Sequence, residues 1–183
     1  MLTPTQWSMI VGTMLGDGAM RCKREALLEI NHSAAQREYV DWKYEILRDL
    51  VSTPPHQRHG NGKRIAYRFT TRSLPALTPL YKAFYKNGRK GVPEIVLDGL
   101  SLAVWFMDDG SKSRNSVYFN TQQFSLKGQR RLIAILGWQY GIDCTLNKDK
   151  SYSRIRVATR SVGTLRSLID PYLLQGLRYK LPI

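Results

Sequence analysis

Two aspartates stand where a carboxylate is poorly placed. Residues 10–18 read IVGTMLGDG and residues 102–110 read LAVWFMDDG, so Asp17 and Asp109 each close an apolar run of helical period and each precede a glycine. The C-terminal end of a helix carries the negative pole of the backbone dipole, which repels a carboxylate by roughly 0.3–1 kcal/mol. A bound cation reverses that sign. Carbonyl oxygens left free at a last turn add oxygen donors. Asp17 and Asp109, with the Gly16 carbonyl, therefore compose a candidate site for Mg²⁺, a hard ion that keeps several waters and needs few protein carboxylates; the neighbouring Asp108 is either a second metal neighbour or a polar group at the helix end. The glycines that follow are expected to end the two helices in the left-handed conformation. Lys90 and Lys180 lie at matching distances downstream, where an ammonium group would stabilise charge developing on a phosphorane or help activate water. Such a set of groups suits metal-assisted phosphodiester hydrolysis.

The elements that must position these residues occur twice. Thr-Arg-Ser recurs at 71–73 and 159–161, and Lys90-x-x-Pro93 is echoed by Lys180-x-Pro182, in the same order relative to the two Asp-Gly sites. This order predicts two structural repeats, residues 1–92 and 93–183, packed as one compact unit. Periodicity places helices at Thr3–Leu15 (Thr3 as N-cap, Pro4 in the first turn), Ala34–Val51 and Ser73–Lys86 in the first copy. In the second copy it places them at Gly99–Asp108, Leu126–Tyr140 and Ser161–Leu173, with strand-like runs at 114–124 and 143–159 between them. Each half reads αββαββα, an α+β fold. Small residues at Gly12, Gly16 and Ala103 would let the two motif helices pack side by side about a pseudo-twofold axis, so that both aspartates emerge at one end.

Charge identifies the kind of partner. The 183 residues carry 28 Lys+Arg against 14 Asp+Glu, a formal charge of +14, while 43% are hydrophobic. A disordered basic tail is excluded, because there is enough apolar material for a core. In the run 64–70, period-two geometry sends Ile65, Tyr67 and Phe69 to one face and Arg64, Arg68 and Thr70 to the other, with Arg72 beyond. Arg154 and Arg156 repeat the pattern around Ile155 and Val157, and Tyr118, Asn120 and Gln122 line a polar face opposite Val117 and Phe119. Such faces hold donors for phosphates and base edges, which makes double-stranded DNA the expected partner. Arg21, Lys23, Arg114, Lys148, Lys150 and Arg160 complete the expected cationic surface. His56-x-x-His59 reads as a polar loop, because no second ligand pair accompanies it. No window is long and apolar enough to span a membrane, and no secretory pattern opens the chain. Cys22 and Cys144, far apart and without a CxxC pair, fit a reducing compartment.

The two nine-residue motifs resemble those of the LAGLIDADG homing endonucleases, specifically the single-chain branch with two motifs. The likeness extends to Asn120-Thr121-Gln122, to Lys90-x-x-Pro93 and to Tyr179-Lys180-Leu181-Pro182, and so over nearly the whole chain. It implies a monomer with saddle-shaped paired antiparallel sheets on DNA and Mg²⁺-dependent double-strand cleavage leaving short 3′ overhangs, with Mn²⁺ able to substitute and Ca²⁺ supporting binding but poor turnover. By motif position, Asp17 and Asp109 are the implied metal-binding acids, Lys90 and Lys180 the basic pair, and Gln122 the polar side chain that positions water at the metal. Two departures stand out. The first repeat has Asn31-His32-Ser33 where the second has the glutamine, which implies unequal strand cleavage. Val104 and Asp108 replace the small residues found at Gly12 and Gly16.

The resemblance also admits an RNA-binding intron maturase, with intron RNA as partner, and retention of both aspartates favours the nuclease. Either role implies an intracellular setting: a mitochondrion or chloroplast if the gene is organellar, otherwise a bacterial or phage-infected cytoplasm.

Overall fold

A computed structural model describes residues 1–60 and 65–182 of the chain, so Arg64 lies outside the described residues. The first motif forms helix α1 (Pro4–Leu15), opened by a capping box in which the Gln6 amide donates to Thr3 Oγ1 at 3.2 Å and the Thr3 amide donates to Gln6 Oε1 at 3.1 Å. Strands β1 (Ala19–Cys22) and β2 (Ala26–Ser33) follow, then α2 (Arg37–Leu47) between 3₁₀ turns at Ala34–Gln36 and Arg48–Leu50. Next come β3 (His56–His59), β4 (Ile65–Thr70) and α3 (Thr78–Phe84), and a short hairpin of β5 (Tyr85–Lys86) and β6 (Arg89–Lys90). The second motif forms α4 (Gly99–Asp109), followed by β7 (Gly110–Ser113), β8 (Ser116–Phe119), α5 (Leu126–Tyr140), β9 (Cys144–Asp149), β10 (Tyr152–Val157) and α6 (Val162–Ile169). The αββαββα order therefore occurs twice, with the β5–β6 hairpin added between the copies.

Both four-stranded sheets are antiparallel and share one connectivity, β1-β2-β4-β3 and β7-β8-β10-β9. Between them α1 and α4 pack against each other. Both are buried on nearly every side, Met9–Leu15 in one and Leu100–Met107 in the other, as expected of helices that are apolar all round. Their N-terminal ends are joined by Ser8 Oγ, which donates to the α4 N-cap Asp98 Oδ2 at 2.5 Å. The departures of the second motif are compensated across this interface. A Cβ on Gly12 would lie 2.7 Å from Val104 Cβ, and one on Gly16 would lie 2.4 Å from Asp108 Cβ and Oδ2. The glycines of one copy leave space for the larger side chains of the other.

Several boundaries differ from the sequence expectation. Neither Gly18 nor Gly110 is left-handed, the positive-φ glycines among the described residues being Gly88 and Gly141. Their small size serves close packing instead, since a Cβ would fall 2.4 Å from Thr13 Cγ2 at Gly18 and 2.4 Å from Phe106 Cδ2 at Gly110. The expected helix at 73–86 shrinks to a 3₁₀ turn at Pro75–Leu77 plus α3. Asn87 (φ 51°) and Gly88 (φ 71°) then turn the chain back as β5–β6, the paired positive φ values suiting a tight hairpin. The run at 114–124 contributes only β8, because Arg114 (φ 53°) lies in the turn before it. Residues 143–159 fold as two strands about Lys150 (φ 56°). His56–His59 is an exposed edge strand paired with β4, not a loop. Among the described residues no helix is long and apolar enough to cross a membrane.

Candidate active site

The C-terminal ends of α1 and α4 emerge together, and two lysines meet their carbonyls. Lys90, carried in by the β5–β6 hairpin, donates Nζ to the Gly16 oxygen at 2.9 Å and to the Gly18 oxygen at 2.7 Å. Lys180, from the 3₁₀ segment Gln175–Lys180, donates to the Met107 oxygen at 2.5 Å and to the Asp108 oxygen at 3.1 Å. Each ammonium thus neutralises the negative end of one motif helix. Burial lowers both lysines, Lys90 to about 8, against the pull of the Asp109, Asp108 and Asp17 carboxylates.

The two aspartates are held differently. Asp17 lies beyond the end of α1 with its side chain 53% exposed, and its backbone N–H donates to Asp108 Oδ2 at 3.2 Å. Its carboxyl is raised by burial and by the Asp108 charge. Asp109 is the last residue of α4, and burial together with Asp17 and Asp108 pushes it up to about 8. The amide of Gln123 donates Nε2 to Asp109 Oδ2 at 3.3 Å and to the Gly16 carbonyl at 3.1 Å, while its Oε1 accepts from Lys90 at 3.2 Å. Asn120 fixes the same residue from behind, its backbone N–H and its Nδ2 both donating to the Asp109 carbonyl at 2.9 Å.

Asp108 does not open onto this end. Its side chain is fully buried, and both carboxylate oxygens meet Lys43 Nζ, Oδ1 at 2.8 Å and Oδ2 at 3.1 Å. Tyr39 Oη also donates to Oδ1 at 2.8 Å. Lys43, itself completely buried in α2, stands 4.3 Å from the centroid of the Tyr39 ring and 3.3 Å from His32 Nε2. Burial opposes the Asp108 charge, but Lys43 and the His32 and Tyr39 contacts hold its carboxyl below the usual range. His32 closes the group, with Nδ1 3.8 Å from Asp17 Oδ2 and a side-chain hydrogen bond with Gln36. Burial and then Lys43 lower its imidazole to about 4.

These contacts sort the proposed cation ligands. Asp17, His32 and Asp108 offer ligand atoms within 4.8 Å of one another. Yet Asp108 is saturated by Lys43 and Tyr39, and the Gly16 carbonyl already accepts from Lys90 and Gln123, which occupies both of its lone pairs. Asp108 and the Gly16 carbonyl are thus more fully engaged by protein donors than the carboxylates of Asp17 and Asp109. The Asp17 charge helps raise the Asp109 carboxyl, a repulsion that a cation between them would relieve.

Sequence reasoning placed Asp17, Asp109, Lys90 and Lys180 here and gave Gln122 the water-positioning role; it did not name the next residue, Gln123, a side chain that reaches Asp109. It left Lys43 and Tyr39 out. A signal for Lys43 existed: Tyr39, Lys43 and Leu47 recur at four-residue spacing on the buried stripe of α2, so a lysine there needs a buried partner.

The cationic positions lie on or beside the two sheets. In the first, Glu29 holds Arg21 at 2.7 Å and Arg68 at 3.2 Å, while Arg72 donates to the Asp49 carbonyl and Lys23 is exposed. In the second, the Arg154 guanidinium lies 4.2 Å over the Tyr118 ring and reaches Asn120 Oδ1 at 3.5 Å. Arg156 pairs in register with Tyr118 and Thr145. Arg160 meets Asp143 at 2.8 Å, and Arg114, Lys148 and Lys150 are exposed at or beside turns.

The sequence profile of the LAGLIDADG DNA endonuclease family matches residues 7–165, which contain most of α1, all of α4 and both sheets. The chain belongs to the LAGLIDADG DNA endonuclease family. Among solved LAGLIDADG structures, the homing endonuclease I-WcaI bound to its DNA recognition sequence superposes with a TM-score of 0.90, covering 98% of this chain and 87% of that one at 24% identity, a likeness of fold. Cytochrome b mRNA maturase bI2 of Debaryomyces hansenii is 27% identical over 94% of this chain and 72% of its own length. A RecA protein of Mycobacterium gastri is 31% identical over 99% of this chain, which spans only 48% of that relative.

Proposed function

We propose that this chain is a site-specific DNA endonuclease that breaks both strands of a long, imperfectly symmetric target by Mg²⁺-dependent hydrolysis, leaving short 3′ overhangs. In this reading residues 1–92 and 93–183 act as two repeats within one monomer. The observation that carries it is the meeting of Asp17 and Asp109 at the paired ends of α1 and α4, each end neutralised by its own lysine. Asp17 and Asp109 would hold the divalent cation, which when bound supplies Lewis-acid activation of water and neutralises charge on the scissile phosphate. Mn²⁺ would substitute for Mg²⁺, and Ca²⁺ would support binding with poor turnover.

The chain's own groups do the rest. The positive charges of Lys90 and Lys180 stand where negative charge develops on the phosphate. With its ammonium lowered to about 8, Lys90 is near enough to neutrality to exchange a proton at Nζ. Gln123 keeps the Asp109 carboxylate in place through its amide. Arg21, Lys23, Arg68, Arg72, Arg114, Arg154, Arg156, Arg160, Lys148 and Lys150, with Tyr118 and Asn120, would contact DNA from the two sheets, and work on DNA implies an intracellular setting.

The test is selection of cleaved sites from a randomised duplex DNA library in Mg²⁺. One long consensus with staggered ends is expected, and intact DNA under all divalent ions would refute the reading. The match to a maturase favours a second role in binding intron RNA; retention of RNA binding by an Asp17→Asn, Asp109→Asn chain that no longer cuts DNA would support it.

A further inference from the structure

Among the described residues, the ionic group around Asp108 has no counterpart beside Asp109. Asp108 comes from the second motif helix, but every side chain that saturates it comes from the first repeat: Lys43 and Tyr39 from α2, with His32 of β2 close by at 3.7 Å. Gly16 admits it, since any side chain there would collide with the carboxylate. The Lys43 ammonium can only donate. It spans Asp108 and His32 Nε2, so Nε2 must accept and the ring proton must reside on Nδ1. That nitrogen faces the Asp17 carboxylate at 3.8 Å, an electrostatic contact beyond hydrogen-bond reach, the ring also having Gln36 as a hydrogen-bond partner; the direct hydrogen bond onto Asp17 is its backbone N–H to Asp108 Oδ2. Both the main chain and the carboxylate of Asp17 thus look onto groups that Lys43 fixes.

We propose that Lys43 is a positioning residue for Asp17: anchored by Asp108 across the repeat interface, it locks His32 in the Nδ1–H tautomer and so sets the orientation of one of the two acidic groups. The idea rests on the endonuclease reading for its consequence in cleavage, but not for its geometry. Lys43 hydrogen-bonds Asp108 and His32, so its positioning effect on Asp17 travels through them, alongside the direct pull of its charge on the Asp17 carboxyl. Replacing a buried ion pair by apolar side chains of similar size is often tolerated by the fold. The double variant Lys43→Met, Asp108→Leu therefore removes the device while keeping the core filled.

Two measurements decide it. Nitrogen-15 spectra of the His32 ring in the unmodified chain, without metal or DNA, should show the Nδ1–H tautomer; an Nε2–H ring would overturn the proposal without any variant. In the double variant the tautomer should become mixed. Single-turnover cleavage of the selected DNA site, measured well below the melting temperature of each variant, should then slow by about 10- to 100-fold in both the double variant and His32→Phe, with DNA affinity in Ca²⁺ unchanged. A residue that merely supports the fold would move the melting temperature and leave the rate and the tautomer alone, and that result would overturn the proposal. Should the unmodified chain cut no DNA, the endonuclease reading fails, and the ring spectra alone still decide whether Lys43 fixes His32.

Discussion

Asp17 and Asp109 occupy matching places in two copies of one motif, yet their surroundings share little beyond a lysine on the helix end. Asp17 is exposed and backed by a buried ionic cluster of Asp108, Lys43 and His32. Asp109 is more enclosed and backed by neutral amides, Gln123 at the carboxylate and Asn120 at the carbonyl. Symmetry of the backbone thus does not imply symmetry of the chemistry. The ionic support is strong in a low-dielectric interior but costly to break, whereas the amide support is weaker and costs little to remove.

The comparison breaks most completely at the aspartates themselves. Asp17→Asn and Asp109→Asn should each reduce double-strand cleavage by about 10³-fold or more, equivalent to roughly 4 kcal/mol, while DNA affinity in Ca²⁺ persists. Gel assays of supercoiled, nicked and linear products test this, and full activity of either variant would remove the aspartates from the reaction.

Next in size is the cost of stranding one member of the buried pair. Lys43→Met alone leaves the Asp108 charge unpaired and should destabilise the fold by about 3–5 kcal/mol in urea unfolding. Addition of Asp108→Leu should recover most of that loss. Gln123→Ala, at the other aspartate, should change stability by no more than about 1 kcal/mol, because its amide is partly exposed.

Acid separates the two surroundings in another way. His32 resists protonation in the folded chain down to about pH 4, whereas in the unfolded chain it takes a proton near 6.5. The unfolded state therefore binds more protons between these values, so the His32 contribution to stability is complete above pH 6.5 and is lost as the pH falls towards 4. At about 1.36 kcal/mol per pH unit the loss amounts to about 3 kcal/mol. His32→Phe should flatten the unfolding free energy over this window, and an unchanged slope would show that another group titrates there.

The smallest effect sharpens the distinction between adjacent glutamines. Gln123→Ala should slow cleavage about tenfold, and one strand more than the other, so that nicked DNA accumulates; Gln122→Ala should have less effect. Separate labelling of each strand measures this directly. The reverse order of the two variants would return to Gln122 the role that motif position implied.

Much of this arrangement is legible in the chain. The two nine-residue motifs, their Asp-Gly endings and the recurring Thr-Arg-Ser and Lys-Pro landmarks anticipate the repeated αββαββα order and four of the charged groups at the site. Alternation in the strands anticipates the buried faces of Tyr67 and Phe69 and of Ile155 and Val157. Other features did not follow from local pattern. Gly18 and Gly110 looked like left-handed helix ends, but they are small because Thr13 and Phe106 press against them. Of the Lys90 hairpin only Tyr85 and Lys86 fall within the expected helix, and Asn87-Gly88 just beyond it hold the turn signal.

The sequence by itself determined the motif helices, the alternating strands and the identity of the acids and lysines, because these depend on periodicity and residue type within a few positions. Only the tertiary structure decided which partners those residues meet. Asp108 was read as a possible neighbour of the metal, but packing turned it inward onto a lysine 65 residues earlier in the chain. Gln123 reaches Asp109 from beyond the end of β8, where the chain has left the strand alternation that orders side chains by period two. Local physics specifies what each side chain can donate or accept; only the three-dimensional approach of distant segments fixes to whom.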